Sequence, residues 1–346
     1  MADSRVETLQ KQADKLFSQK QPVDSLWQEI AEYFYPQRAD FTSQRNVGKE
    51  YASHLSNGYT LLVHRDLTNA ISSLARPTSS EWAKMGVGRE VGQESKAWLQ
   101  WATDVQRRAM YDREAQFVRA TKEADADWTC FGQAAISTEV VNRSTLLYRT
   151  IHLRDIAWSD NYNGSPRAFF QRIKMYACDL VRQFPKTVSA KIVDRATKDP
   201  YYEVKCMRAV VVAEDYTATK FRTPWASIYW ECEGNTVLEE VGSWTKVYTL
   251  PRWQTVSGSQ YACSPATMIG LPDARLLQTM TYTLLRAGEK YVDPPLVAQS
   301  MSIRNDIVVY PGAINHVDGD YDGRLEDVLA PLHQDKSGFP IGLQMM

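Results

Sequence analysis

The chain has 346 residues, 44% of them hydrophobic, and a formal net charge of -1 from 40 Lys+Arg against 41 Asp+Glu. That length admits two or three domains with ample core and excludes a disordered chain, and the balanced charge argues against a surface that grips nucleic-acid phosphates tightly. No run of 18 or more apolar residues occurs, and the charged start Met1-Ala-Asp-Ser-Arg-Val-Glu7 lacks the apolar segment of a signal peptide, so the expectation is a protein that enters no membrane and is assembled in the cytoplasm.

Residues 1 to 20 have the pattern of a polar amphipathic helix (Val6, Leu9, Ala13, Leu16), and Pro22 is expected to break it. Ser25 and Gln28 have capping-box spacing ahead of a second helix carrying Leu26, Trp27, Ile30, Ala31 and Phe34, which ends at Tyr35-Pro36. After a polar loop over 37 to 50, a helix from about Ser53 to Leu74 presents Leu55, Tyr59, Leu62, Val63, Leu67, Ala70 and Ile71, and Arg76-Pro77 stops it. Two more helices are expected over 93 to 111 (Trp98, Trp101, Val105, Ala109) and 112 to 130 (Phe117, Ala120, Ala124, Trp128).

The period then changes from helical to alternating. Residues 132 to 158 are expected as strands around a turn at Asn142-Arg143-Ser144, and a second hairpin joins Ile156-Asp160 to Ala168-Met175 through Asn161-Tyr-Asn-Gly164. A short helix from Cys178 to Phe184 precedes a strand-rich block over 201 to 253, in which alternation of Ile228, Trp230 and Cys232 predicts one buried face. The basic residues Lys186, Lys191, Arg195, Lys198, Lys205 and Arg208 are interleaved with Asp194, Asp199 and Glu203, the composition of a solvated face.

The most informative stretch begins near Gly258. Tyr261-Ala-Cys-Ser-Pro265 is followed by Leu271-Pro-Asp273, where the proline suits a first helical turn and the carboxylate suits the positive end of a helix dipole. Leu276, Leu277, Met280, Leu284 and Leu285 then recur at three- and four-residue steps, Arg286 and Lys290 fall near the C-terminal end, and Asp293-Pro-Pro295 forbids continuation. The prediction is a single helix of roughly 18 to 21 residues, about 30 Å long.

These residues resemble the stem of the portal, or head-to-tail connector, proteins of short-tailed bacteriophages. In that family a pattern of glycine, Tyr-Gly-x-Ser-Pro, Leu-Pro-Asp and Leu-Asn opens the pore-lining helix and Asp-Pro-Pro follows it; Gly258, Tyr261, Ser264, Pro265, Leu271, Pro272, Asp273, Asp293, Pro294 and Pro295 match. Ala262 stands where the glycine is usual, and Leu277-Gln278 where Leu-Asn is usual. The helix pair ending before Trp82, the Asn-Gly hairpin with its following Phe184-Pro185, and Pro251-Arg252-Trp253 extend the resemblance along the chain.

The resemblance implies an α+β portal-type fold with a helical and β-rich wing (residues 1–262), a stem helix (263–292) and the start of an α/β clip (293–346), the second stem helix and crown being absent from this sequence. It further implies a structural subunit of a ring, usually twelvefold, at one capsid vertex of the virion. Such a ring passes double-stranded DNA without sequence specificity and meets a terminase motor, capsid and scaffold proteins, and tail or adaptor proteins. Leu276, Leu277, Met280, Leu284 and Leu285 are then expected to pack the stem, and Arg275, Gln278, Thr279, Arg286 and Lys290 to lie in ring contacts or the pore wall. A ring adaptor or other structural tail component is the rival reading.

Catalytic patterns are weak by comparison. Asn46-Val-Gly-Lys-Glu50 lacks the upstream glycine and the hydroxyl of a phosphate-binding loop, there is no Gly-x-Ser-x-Gly elbow, and the five histidines are scattered. An enzyme, a cofactor and a metal are therefore not expected. Asp318, Asp320, Asp322 and Gly323 match the opening of a calcium loop, but the twelfth position is Leu329 in place of the bidentate glutamate, and Ile307-Tyr310 ahead of the loop has a strand pattern. The expectation is a solvated acidic loop facing a partner. Five cysteines without a Cys-x-x-Cys pair imply buried free thiols, while ten Trp and 18 Tyr imply large cores or subunit interfaces.

Overall fold

The computed structural model describes residues 4–43, 48, 50–77, 80–88, 92–141, 145–217, 221–292, 296–298 and 329–331. The chain divides into two compact units, one of Met1–Ser53 with Gly58–Leu271 and one of His54–Asn57 with Pro272–Met346. Helix and sheet are both abundant, as an α+β chain requires.

The first unit opens with a helix, α1 (Ser4–Phe34), that runs unbroken through Pro22. The sequence predicts a break there, since a proline in a helix interior costs about 3 kcal/mol. Burial on both sides of the proline offsets that cost. Val6, Leu9, Ala13 and Phe17 pack into one core and Trp27, Ile30 and Ala31 into another. Between them Lys20 is fully buried. Its ammonium donates to the carbonyls of Leu153 and Ile156, the latter at 3.0 Å, and pairs with Asp24 one turn on at 3.2 Å. The expected capping box does not form, because there is no helix start at Ser25. Gln28 instead donates to Ala39 O at 3.1 Å and accepts from Phe41 N at 2.8 Å, bracing the turn that leaves the helix.

Helices α2 (Tyr59–Ala75), α3 (Gln93–Met110) and α4 (Phe117–Phe131) follow. α4 is buried along most of its length, including two carboxylates, Asp125 and Asp127. Each has an arginine partner, as buried charge demands. Arg38 grips Asp127 in a fork at 3.0 and 2.8 Å, and Arg76 at the end of α2 pairs with Asp125.

Strands β1 (Ala135–Val141) and β2 (Thr145–Ile151) form a hairpin, joined by the short β8 (Tyr248–Thr249) on the other side of β1. The larger sheet is antiparallel and sequential: β3 (Ile156–Asp160), β4 (Pro166–Tyr176), β5 (Glu203–Val212), β6 (Trp225–Glu231) and β7 (Thr236–Ser243). Its register lines up Ala157, Phe170, Ala209 and Ile228 across four strands. This row, with Trp230, takes the N-terminal half of α1. On the opposite face, Phe169 and Val210 join the core of Trp27 and Trp158, while Ile173, Val204 and Cys206 lie under α5 (Ala177–Gln183) and α6 (Ala190–Lys198). A bulge opposite Tyr229 and Trp230 leaves Leu238 as the extra residue of β7; Val237 packs in one core and Leu238 in the other, as strand alternation requires.

α6 is unforeseen by a reading of its charges alone. Its signal is Ile192, which is buried, with Ala196 one turn on, while Lys191, Arg195 and Lys198 are exposed. The short α7 (Ala213–Tyr216) links β5 toward β6. All five cysteines are free. Burial pushes the thiols of Cys206 and Cys232 up to about 12 and about 11, and raises that of Cys130 well above its ordinary value.

Burial lowers the Lys20 pKa to about 8, against the pull of Asp24. Between pH 8 and about 10.5 the unfolded lysine therefore holds more proton than the folded one, and this group's contribution to stability rises with pH through that window. Chemical unfolding of wild type and Lys20→Met at pH 7 and pH 10 tests the assignment. The variant is expected to be less stable at both, by about 2 kcal/mol at pH 7, because two buried carbonyls and Asp24 lose their donor. The deficit should grow at pH 10, and a deficit independent of pH would place Lys20 in water.

Candidate functional site

The long helix predicted after residue 271 is present as α8 (Leu271–Val292), 22 residues or about 33 Å. Its beginning differs from the sequence expectation. The helical path starts earlier, at Ser264, whose buried hydroxyl accepts from Thr267 N at 3.1 Å in the manner of an N-cap, with Pro265 following in helical conformation. A π-helical turn over Ala266–Gly270 comes next, closed by Leu271 N bonding to Ala266 O. Pro272 thus sits inside the helix, directly after that wider turn. A π turn is where a helix can absorb a residue that offers no amide hydrogen.

The segment ahead of Ser264 is a strap laid on the end of α4 and the start of β1. Trp253 N donates to Gly132 O at 2.7 Å, Ala262 N donates to Gln133 Oε1 at 3.3 Å, and Cys263 N donates to Gln254 O at 2.8 Å. Arg252 pairs with Asp160 at 2.5 Å. Gly132 ends α4 with φ of +77°, and a Cβ there would lie 2.6 Å from Cys263 C and 2.7 Å from Ser264 N. Tyr261 places its ring edge-on to Trp27 and Trp158, with centroids 5.8 and 5.0 Å away. Gln260 donates to Trp158 O. Ala262, where the portal pattern has glycine, is buried and does not need a positive φ, so alanine serves there.

Along α8 the predicted residues separate by exposure. Leu277, Met280 and Leu284 are half-buried, whereas Leu276 and Leu285 are exposed. Arg275, Thr279, Arg286 and Lys290 are exposed and, with Tyr282, fall on one stripe at four-, three-, four- and four-residue steps. Arg286 lies over the Tyr282 ring at 4.8 Å. Gln278 has a different role: its Oε1 accepts from Ser56 N at 2.8 Å and Asn57 N at 3.0 Å, and its Nε2 donates to Asn57 O at 2.6 Å. That clamp explains why α2 begins at Tyr59 and not at Ser53, since a segment whose amides bond to a side chain is withdrawn from a helix. The hydroxyls of Thr279, Thr281 and Thr283 each donate to the carbonyl four residues back, at 2.8 to 2.9 Å; Thr279 and Thr283 are exposed, and Thr281 is buried.

Asp318, Asp320 and Asp322, the strand expected at Ile307-Tyr310, and Asp293-Pro-Pro295 lie outside the described residues. In the same region β9 (Leu296–Ala298) pairs antiparallel with β10 (Leu329–Pro331). Among the described residues no cluster of three His, Cys, Asp or Glu is placed to hold a metal, and no helix is long and apolar enough to cross a membrane. His64 is buried against Ala126 O at 3.0 Å, and burial lowers its pKa.

A helix that follows a Tyr-x-x-Ser-Pro strap in the chain, after a mixed run of helices and strands, agrees with the family comparison. Residues 6–343 match the model of the bacteriophage head to tail connecting proteins, and the chain belongs to that family. It is similar to the portal protein of Salmonella phage epsilon15, 20% identical over 327 residues that make up 92% of this chain and 59% of that protein. The chain thus spans about three-fifths of that relative's length.

Two substitutions test the strap and the clamp. Gly132→Ala combines a strained φ with a backbone clash and should destabilise by more than about 2 kcal/mol in chemical unfolding; a cost under about 0.5 kcal/mol would mean that the strap does not lie on Gly132. Gln278→Ala should speed amide exchange at Ser56 and Asn57 while amides in the large sheet keep their protection. Unchanged exchange at both positions would refute the clamp.

Proposed function

We propose that the chain is a structural subunit of a portal ring at one capsid vertex, with the α8 helices of neighbouring copies around a channel for double-stranded DNA. The observation that carries this reading is α8 itself: 22 residues long, with exposed leucines on its flanks and a stripe of Arg275, Thr279, Tyr282, Arg286 and Lys290. An ordinary core helix hides its leucines. A helix that exposes Leu276 at 60% and Leu285 at 56% has surface for a neighbour, and the basic stripe then has the chemistry of a wall beside a polyanion. Family membership and the likeness to a portal protein support the same assignment. The roles are geometric rather than catalytic.

On this reading Leu276 and Leu285 pack against neighbouring stems, and Leu277, Met280 and Leu284 hold the inner side of the helix. Residues 293–346 form the clip, and the acidic loop of Asp318, Asp320 and Asp322 is a surface for a terminase motor during packaging or for tail and adaptor proteins afterwards. Capsid and scaffold proteins are further partners. A twelvefold ring in the virion, assembled in the host cytoplasm, is the expected form.

Electron microscopy of the purified protein should show closed rings with a central hole. Compact particles of single-protomer mass at high concentration would refute the ring, and rings whose hole is too narrow for duplex DNA would favour an adaptor. Leu284→Asp places a carboxylate in a half-buried position, at a cost of several kcal/mol, and should reduce assembly before it reduces solubility. Normal rings from this variant would remove Leu284 from the packed side.

A further inference from the structure

The wing carries two helices whose outward faces are apolar. On α3, Trp98 and Trp101 are 61% and 59% exposed, their rings 6.4 Å apart, and Val105 continues the same stripe at 45% exposure. Only Thr103 of that helix is buried. On α2, Tyr59, Leu62, Val63 and Leu74 are 59%, 42%, 43% and 79% exposed, and Ala70 lies between Val63 and Leu74 on the same side. Scattered single apolar residues on a surface need no explanation, but helical stripes of this kind in one unit do.

Their shapes and charges are opposite in kind. The α3 stripe is a ridge, two large aromatic rings a turn apart. The α2 stripe is lower at its centre, where the shorter side chains of Asp66 and Ala70 stand between Val63 and Leu74. Arg108 is exposed at the edge of the α3 stripe, and Asp66 is exposed within the α2 stripe, paired among the described residues with the adjacent Arg65, both side chains more than half exposed. Such a pair is weak and leaves the carboxylate available to a better partner. We infer that the α3 ridge of one copy of this chain seats on the α2 face of the next, with Trp98 and Trp101 against Ala70 and Arg108 toward Asp66.

This inference rests on the ring reading and adds its wing contact. A closed ring joins two different patches of one chain head to tail, so each subunit must carry both halves of the contact. A ridge and a complementary depression on two separate helices meet that requirement. A two-fold dimer could also use both halves, each ridge on the α2 face of the other copy, so native mass separates the two: a wild type that stops at two copies would overturn the head-to-tail contact.

The test uses two variants of the full chain, one with Trp98→Asp and Trp101→Asp, the other with Leu62→Asp and Val63→Asp. All four residues are exposed, and unchanged thermal melting of the monomers will show that both variants fold. Each variant alone is expected to lose rings in native mass measurement. Mixed together they should form a one-to-one pair that grows no further, because one intact ridge and one intact depression remain. Rings from the tryptophan variant overturn the wing contact while leaving the ring itself in place. Dimers of the Leu62 and Val63 variant alone would mean ridge-to-ridge pairing and also overturn it. A wild type that never forms rings overturns both readings.

Discussion

The close approach of Gly132 to the Cys263–Ser264 peptide governs how the first unit is assembled. Within four residues the chain must leave α4, turn through a left-handed conformation, and start β1, all while the strap crosses at van der Waals distance. Only a residue without Cβ satisfies both demands at once. From that crossing follow the bonds from Trp253 to Gly132, from Ala262 to Gln133, and the capped start at Ser264. Gly270 repeats the device one step later, where an added Cβ would meet the Phe34 ring at 2.9 Å. The path into α8 is thus fixed by backbone proximity, and side chains then reinforce it.

Aromatic residues serve two separate purposes in this chain. Trp27, Phe41, Phe131, Trp158 and Tyr261 form a continuous set of edge-on and tilted contacts with centroids 5.0 to 6.1 Å apart. That set joins α1, α4, β3 and the strap, elements distant in sequence. Trp98 and Trp101 belong to no such set and face outward. High aromatic content therefore meant both core and surface, and composition alone gave no means to apportion them.

Local periodicity made most of the fold legible. α3, both hairpins and the C-terminal end of α8 are foreseen within a few residues, and α2 and α4 are foreseen with starts five or six residues too early, because each has an amphipathic pattern bounded by glycine, proline or a polar turn. The failures share a cause. Pro22 has a local preference that burial of Val6, Phe17, Trp27 and Lys20 overrides, and the beginning of α2 yields to a glutamine more than two hundred residues away. Pro272 looked like a first-turn proline because the π turn before it has no sequence signature. Of the candidate residues, the exposed basic stripe follows from helical spacing, whereas the clamp made by Gln278 and the need for glycine at 132 depend on long-range contacts that no local pattern encodes.

Net charge is a poor guide to what a channel wall can do, and the arginines show why. Arg38, Arg76, Arg154, Arg167, Arg208 and Arg252 are each held by a carboxylate of the same unit, so these cations are neutralised within it. α8 has a different balance: Arg275, Arg286 and Lys290 against Asp273 and Glu289. On the channel reading this modest excess suits the task. A wall that neutralised many phosphates would release many counterions and hold the duplex, and affinity falls steeply with each contact removed. Three cations over about 22 Å of helix, one of them over the Tyr282 ring, with the exposed Thr279 and Thr283 between them, offer a polyanion attraction without a deep well. A near-neutral chain with a weakly basic helix is therefore consistent with DNA that must move past it.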